Sequence, residues 1–191
     1  LDHGYHGKKV QQRLKELESG VEWLKKMKTL GLIKGFGAGI NDMQMMPVFM
    51  EHFDLDFFLV AMPYTLLDQS PLEKIFPACQ KREIGIIIGS PYASGILAAD
   101  SKDESTYSYV PANNEILKKV RSIEFICRKY DVPLKAAALQ FPLFHPLVKS
   151  VIPGMLDKEE VLENIQMIKQ NIPKEFWLDL KKKGLLHPES P

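Results

Sequence analysis

Four short apolar runs alternate with amphipathic helical patterns, and this alternation constrains the fold of the chain more tightly than any other feature. The runs cover Leu32–Ile40, Asp56–Met62, Ile84–Ile88 and Val148–Ile152. Within the second, Phe57-Phe58-Leu59-Val60-Ala61 is continuous rather than alternating, which predicts a strand covered on both faces. The third is almost wholly β-branched, and the first is rich in glycine, a sign of close backbone approach. Strands separated by helices at this spacing predict βα units and a parallel sheet, an α/β fold. Periodicity alone leaves a barrel and an open sheet as two readings. An open series of four parallel strands has two unpaired edges, which makes self-association through those edges an option.

The helices announce themselves by three- and four-residue spacing. Val10, Leu14, Leu17, Val21, Leu24 and Met27 form the first stripe, and Gly31 is its natural stop. A second helix is expected around residues 43–52, its methionines read as packing groups. Ser70-Pro71-Leu72-Glu73 has the form of a capping box, with Leu72, Ile75, Phe76 and Cys79 on the face that follows. Ile116, Val120, Ile123 and Cys127 mark a further helix, and another begins after Pro133. Asp157 caps a helix with Glu160 in the capping-box position and Val161, Leu162, Ile165 and Ile168 as its stripe. A last helix carries Phe176, Trp177 and Leu180 and ends at Gly184. Residues 100–112 form a polar loop long enough to suspect of function.

Composition narrows the function classes. With 191 residues, 45% hydrophobic and 26% charged, the chain suffices for one sizeable core and is read as a single unit over residues 1–191. A net charge of +1 gives no reason to expect nucleic acid or a membrane surface as partner. Cys79 and Cys127 each fall on an apolar helix stripe, so buried thiols in a reducing compartment are expected rather than a disulfide. Neither an apolar leader nor a membrane-spanning run occurs, and the cytosol is the default location.

In parallel α/β proteins, ligands gather at the C-terminal ends of the strands. Here those ends are Asn41, Met62 to Tyr64, Gly89 to Gly95 and Gly154 to Asp157. The Gly/Ser loop at 89–95 reads either as a phosphate contact through backbone N–H groups or as a plain βα turn. Asn41 reads either as a carboxamide partner or, the favoured alternative, as the cap of the next helix. His3 and His6 have no third ligand beyond Asp2, so no metal site is assigned. His145, between Phe144 and Pro146, reads as a packing or capping group. Nucleophile elbows, phosphate-binding P-loops and dinucleotide fingerprints are all absent from the sequence.

Several segments resemble the aldo-keto reductase superfamily, and within it the branch of sugar 1-dehydrogenases. They are Gly31-Leu32-Ile33-Lys34-Gly35-Phe36-Gly37-Ala38-Gly39-Ile40-Asn41, then Tyr64-Thr65-Leu66-Leu67-Asp68-Gln69 and Gly89-Ser90-Pro91-Tyr92-Ala93-Ser94-Gly95-Ile96-Leu97. Ala136-Ala137-Ala138-Leu139-Gln140-Phe141-Pro142 and Val151-Ile152-Pro153-Gly154 with Glu163-Asn164 continue the series. The resemblance covers essentially the whole chain in order. It implies the C-terminal half of a (β/α)8 barrel with extra C-terminal helices, running from the loop after the fourth strand through the eighth.

The same resemblance implies an NAD(P)-dependent oxidoreductase that oxidises C1 of an aldose such as L-fucose or D-arabinose to the lactone. The family's acid–base residues come from earlier strands. His6-Gly7 resembles the loop that follows them, so no catalytic residue is assigned here and the chain alone is expected to be inactive. By position, Asn41 matches the nicotinamide carboxamide contact. Ser90, Ser94 and Gly95 match the pyrophosphate loop, and Glu163 and Asn164 the adenine pair. The family's usual glutamine falls at Ala61 and its usual stacking aromatic at Gly89. Gly154 and Glu160 fall where relatives that prefer NADP place basic groups, which implies a preference for NAD, with NADP as the second candidate. Glu160 equally completes the Asp157 cap. Thr106 to Tyr109 resembles the family's substrate-side loop, with surface packing as its alternative. The expected partner is a small sugar or carbonyl compound. The competing reading is a catalytically silent nucleotide-binding or scaffold half-barrel.

Overall fold

The computed structural model describes residues 8–98, 106–107 and 110–190. His3 and His6 lie outside the described residues, as do residues 108 and 109 of the tyrosine loop. Helix α1 (Lys8–Thr29) leads into β1 (Gly37–Ile40), α2 (Met45–His52) and β2 (Phe57–Ala61). Then come α3 (Ile75–Lys81), β3 (Gly85–Gly89) and a two-stranded ribbon of β4 (Thr106–Tyr107) and β5 (Val110–Pro111). The chain continues through α4 (Asn114–Lys129), α5 (Leu134–Gln140), β6 (Val148–Ile152), α6 (Lys158–Lys169) and α7 (Lys174–Lys182). Strands β1, β2, β3 and β6 pair in that order, all parallel, as the alternation of runs and helices predicts.

One face of the sheet carries the core. Phe58, Val60, Ile86 and Ile88 have no exposed surface. They share a cluster with Met46 and Phe49 of α2, Phe76 of α3, Val120 and Ile123 of α4, and Ala137 of α5. Full burial of side chains of this size contributes roughly 1.5–3 kcal/mol each. The opposite face differs from the expectation of a strand covered on both sides. Phe57, Leu59 and Ala61 are only half-buried, in strict alternation with Phe58 and Val60. Ile87 follows the same pattern, and Ile152 is 50% exposed. Nothing among the described residues layers against that side, so a run apolar at every position is dry on one face only.

Three local expectations need correction. Ser70-Pro71-Leu72-Glu73 makes a single 3-10 turn, Ser70–Leu72, rather than a capping box, because the Ser70 N–H already donates to Asp68 Oδ1 (2.9 Å) and α3 begins later, at Ile75. Asn41 does not cap α2. The N-cap position is Gln44, whose N–H donates to Asp42 Oδ1 at 2.9 Å, so the chain turns through Asp42 instead. The stripe of α6 faces outward, with Val161, Leu162, Ile165 and Ile168 at 38, 49, 45 and 37% exposure. The helix buries Asn164 instead, because that is where it finds a partner in Tyr92.

Other expectations hold. Gly31 (φ 71°) closes α1 and Gly184 (φ 67°) follows α7, both in the left-handed region that glycine adopts without strain. Cys79 and Cys127 are free and buried, and burial pushes their thiols up to about 11 and about 12. His145 is a packing residue: its ring lies 4.7 Å from Phe76 and 5.8 Å from Tyr64, and its Nδ1 accepts from the Leu147 N–H. Two polar residues of the motifs are structural ties. Gln69 donates to the Thr65 carbonyl and accepts from the His187 N–H, while Gln140 Nε2 donates to the carbonyls of Met167 and Gln170 at 2.8 Å.

The glycines of β1 divide sharply. A Cβ on Gly37 would lie 2.2 Å from the Phe57 carbonyl oxygen, whereas one on Gly39 would meet nothing within 4 Å. Gly37→Ala is therefore expected to push β1 off β2 at a cost of about 1–3 kcal/mol, and Gly39→Ala to be neutral or stabilising by about 0.5 kcal/mol. Urea midpoints of the two variants check this; equal midpoints would refute the close approach.

Candidate functional site

The parallel register brings the strand ends side by side. Ile40 pairs with Val60, Ala61 with Gly89, and Gly89 with Ile152. Beyond the strands the ladder continues for one more bond each: the Met62 N–H donates to the Gly89 carbonyl (3.4 Å) and the Ser90 N–H to the Ile152 carbonyl (3.2 Å). Asn41, Met62, Ser90 and Gly154 thus follow one another along a single edge of the sheet. Asn41 is exposed at the β1 end of this row and Gly154 at the β6 end. A cavity of about 650 Å³ bordered by Leu117, Lys118, Arg121, Phe125 and Lys183 belongs to the outer helices and includes none of these strand-end residues.

The loop after β3 is tightly wound. Ser90, Ala93, Ser94 and Gly95 all have positive φ (55°, 49°, 60° and 90°), and for the three with a Cβ this costs roughly 1–2 kcal/mol per residue. Local hydrogen bonds offset that strain. The Ala93 N–H donates to Ser90 O, the N–H groups of Gly95 and Leu97 to Tyr92 O, and the Ala98 N–H to Gly95 O. The N–H groups of Ala93, Gly95, Ile96, Leu97 and Ala98 are thus engaged inside the loop, and its side chains add polar groups of their own. Ser90 and Ser94 are half-buried, and the Ser94 hydroxyl lies 3.6 Å from Met62 Sδ.

Loop and α6 meet in a buried contact. The Tyr92 hydroxyl donates to Asn164 Oδ1 at 2.5 Å, with the two residues 7% and 6% exposed. Burial, and then the neighbouring Glu163 charge, push the Tyr92 phenol well above its ordinary range, so it stays a donor at neutral pH. The second polar atom of that carboxamide, Asn164 Nδ2, is buried without a hydrogen-bond partner among the described residues. An orphaned donor of this kind is costly and marks a place where a ligand or water completes the structure. Lys135 of α5 braces the arrangement, ion-paired to Glu163 with its ammonium 5.5 Å from the centre of the Tyr92 ring. Beside it opens a crevice of about 240 Å³ lined in part by Ala98, Leu134, Lys135, Glu163 and Met167.

At the start of α6 the capping box forms nearly as expected. Asp157 Oδ1 accepts from the Glu160 N–H (2.8 Å), and Glu160 Oε2 reaches back to the Leu156 N–H (2.7 Å), one residue before the cap itself. Glu160 is thus held by the cap, with its carboxylate at the β6 end of the row of strand ends. Gly154 has open space where a Cβ would be.

The structure therefore groups Ser90, Ser94 and Gly95 with Glu163 and Asn164, and sets Gly154 and Glu160 near them on the β6 side. Asn41 stands apart, across β2 on the β1 side. Sequence reasoning quoted Tyr92 only as part of a motif and missed Lys135. Nothing in the local pattern marks either, since their roles depend on partners 72 and 28 positions away in the chain.

Comparison with known proteins identifies the family and the fold. Residues 6–184 match the model of the aldo/keto reductase family. The chain is 40% identical over 167 residues to pyridoxal 4-dehydrogenase of Microbacterium luteolum, covering 87% of this chain and 49% of that protein. To D-threo-aldose 1-dehydrogenase of a Pseudomonas species it is 34% identical over 171 residues, covering 89% and 52%. It spans about half the length of these curated relatives. An aldo-keto reductase from Bacillus halodurans, in its holo form, shares the fold with a TM-score of 0.67 at 20% identity, over 92% of this chain and 58% of that one. A Klebsiella pneumoniae aldo/keto reductase solved with NADP and acetate superposes with a TM-score of 0.58 at 15% identity, over 90% and 55%. With its parallel sheet, its row of strand ends and a family match over nearly its whole length, the chain belongs to the aldo/keto reductase family.

Proposed function

We propose that this chain is the cofactor-binding half of an NAD(P)-dependent oxidoreductase, a half-barrel whose strand ends hold an extended dinucleotide. The observation that carries this reading is the buried Tyr92–Asn164 contact, which brings the Ser90/Ser94 loop against α6 and leaves the Asn164 amide nitrogen without a partner among the described residues. Along the strand ends the Asn41 carboxamide would hold the nicotinamide end. The hydroxyls of Ser90 and Ser94, on the turn closed by Gly95, would meet the pyrophosphate, and Glu163 and Asn164 the adenine. A bound dinucleotide accepts a hydride from the substrate carbon. The chain's residues orient the cofactor for that transfer, and none of the described ones is assigned the accompanying proton.

Two substrate readings follow from the relatives. The first is an aldose such as L-fucose or D-arabinose, oxidised at C1 to the lactone. The second is pyridoxal, favoured by the higher identity to the pyridoxal 4-dehydrogenase. Both are aldehyde-level carbons that a neighbouring hydroxyl can trap as a cyclic hemiacetal. Loss of a hydride from carbon and a proton from oxygen then yields a lactone. A silent nucleotide-binding scaffold remains the alternative, separated from the enzyme reading by turnover.

NAD is the preferred cofactor in this reading. At the adenosine end Gly154 brings no cation and Glu160 brings a carboxylate, which repels a 2′-phosphate and accepts a hydrogen bond from a ribose hydroxyl. NAD at a hundred times its Kd is expected to stabilise the chain by about 2.7 kcal/mol. Thermal unfolding with NAD and with NADP checks this: a larger shift with NADP overturns the preference, and no shift with either overturns the cofactor assignment. The chain by itself is expected to oxidise neither L-fucose nor D-arabinose. NADH production by the purified chain would refute that.

The reading extends to self-association. Among the described residues the outer edges of β1 and β6 are unpaired and the stripe of α6 is exposed, surfaces suited to pairing with a second copy. Sedimentation equilibrium is expected to give the mass of a dimer, and Ile165→Lys to shift it to the monomer. A concentration-independent monomer would refute it.

A further inference from the structure

We infer that Tyr92 is a positioning residue for the cofactor, tying the loop that meets the pyrophosphate to the helix that meets the adenine. The inference rests on the dinucleotide reading above and adds to it the element that sets the spacing between the two halves of the site. The loop after β3 and helix α6 are separate in sequence and come from different βα units. The hydrogen bond from the Tyr92 hydroxyl to Asn164 Oδ1 (2.5 Å) joins them directly, inside the protein and shielded from competing water.

Three further features fit this role better than simple core packing. Tyr92 lies within the run of left-handed residues at Ser90, Ala93, Ser94 and Gly95, so its side chain anchors a strained turn. Its carbonyl accepts from both Gly95 and Leu97, which makes it the hub of the loop's own hydrogen bonds. Lys135 touches both halves of the tie, with its ammonium over the Tyr92 ring and paired to Glu163, the neighbour of Asn164. The other polar atom of the Asn164 carboxamide, Nδ2, has no hydrogen-bond partner among the described residues. A ligand that reaches both the Ser90/Ser94 turn and α6 profits from the fixed spacing, whereas one that touches α6 alone does not.

Tyr92→Phe removes the hydroxyl and keeps the ring. The test compares ADP-ribose, which carries adenine and pyrophosphate, with adenosine, which carries the adenine end alone, by calorimetric titration of the parent chain and the variant. The variant is expected to bind ADP-ribose about tenfold more weakly, the worth of one buried hydrogen bond. Its adenosine affinity is expected to stay within about twofold. A folded variant with unchanged ADP-ribose affinity overturns the inference, as does equal weakening of both ligands, which would mean a general structural loss. Should circular dichroism show the variant unfolded, hydrogen exchange on the parent chain decides. The loop at 92–98 and the turn of α6 that carries Asn164 are expected to open together, with matching exchange rates, and independent exchange of the two overturns the tie. Failure of the parent chain to bind either ligand removes the dinucleotide reading itself, and the inference with it. Binding in the parent with no effect of the variant removes only the inference.

Discussion

Five consecutive residue pairs, Phe57 with Gly85 through Ala61 with Gly89, hold the two central strands parallel and in register, and this pairing decides where everything else can lie. Because the strands are added in chain order, right-handed crossovers pass over the same face each time, and the helices collect on the side of Phe58, Val60, Ile86 and Ile88. The parallel pairing also delivers all strand ends to one edge. The candidate ligand contacts follow from that geometry before any side chain is considered. The close approach of β1 depends on it too, since Gly37 sits against the Phe57 carbonyl with no room for a methyl group.

The loop after β3 shows how strain and function meet in this chain. Three residues with side chains are held at positive φ, and several of the loop's N–H groups bond within its own turns. Such a loop has little freedom of its own, and the buried Tyr92–Asn164 contact ties it further to α6. That contact in turn explains the odd orientation of α6. A helix that buries an asparagine while exposing valine, leucine and isoleucines is arranged around a polar interaction rather than around its stripe. The outward stripe leaves α6 with an exposed apolar surface.

The family's motifs sort into two kinds once their contacts are visible. Gln69 and Gln140 hold turns and helix ends together through backbone carbonyls and an amide. Ser90 and Ser94 follow the end of β3, and Asn164 of α6 meets their loop through Tyr92. Asp157 and Glu160 serve the helix cap first, and any part in cofactor choice comes through the charge that the cap holds in place.

The order of elements, the parallel sheet, the buried thiols and the Asp157 cap were all legible in the sequence, because each rests on local periodicity or on partners a few residues apart. Local pattern misled where the outcome hung on what lay opposite. The run from Phe57 to Ala61 is apolar throughout yet dry on one face, and the stripe of α6 points away from the core. The Ser70–Glu73 box yielded to the competing bond from Asp68, and Asn41 to the turn at Asp42. Only the tertiary structure placed Tyr92, Lys135 and Asn164 together. Their partners are brought in by strand pairing and helix packing over long sequence separations, and no spacing along the chain encodes a contact that exists only after the sheet has formed.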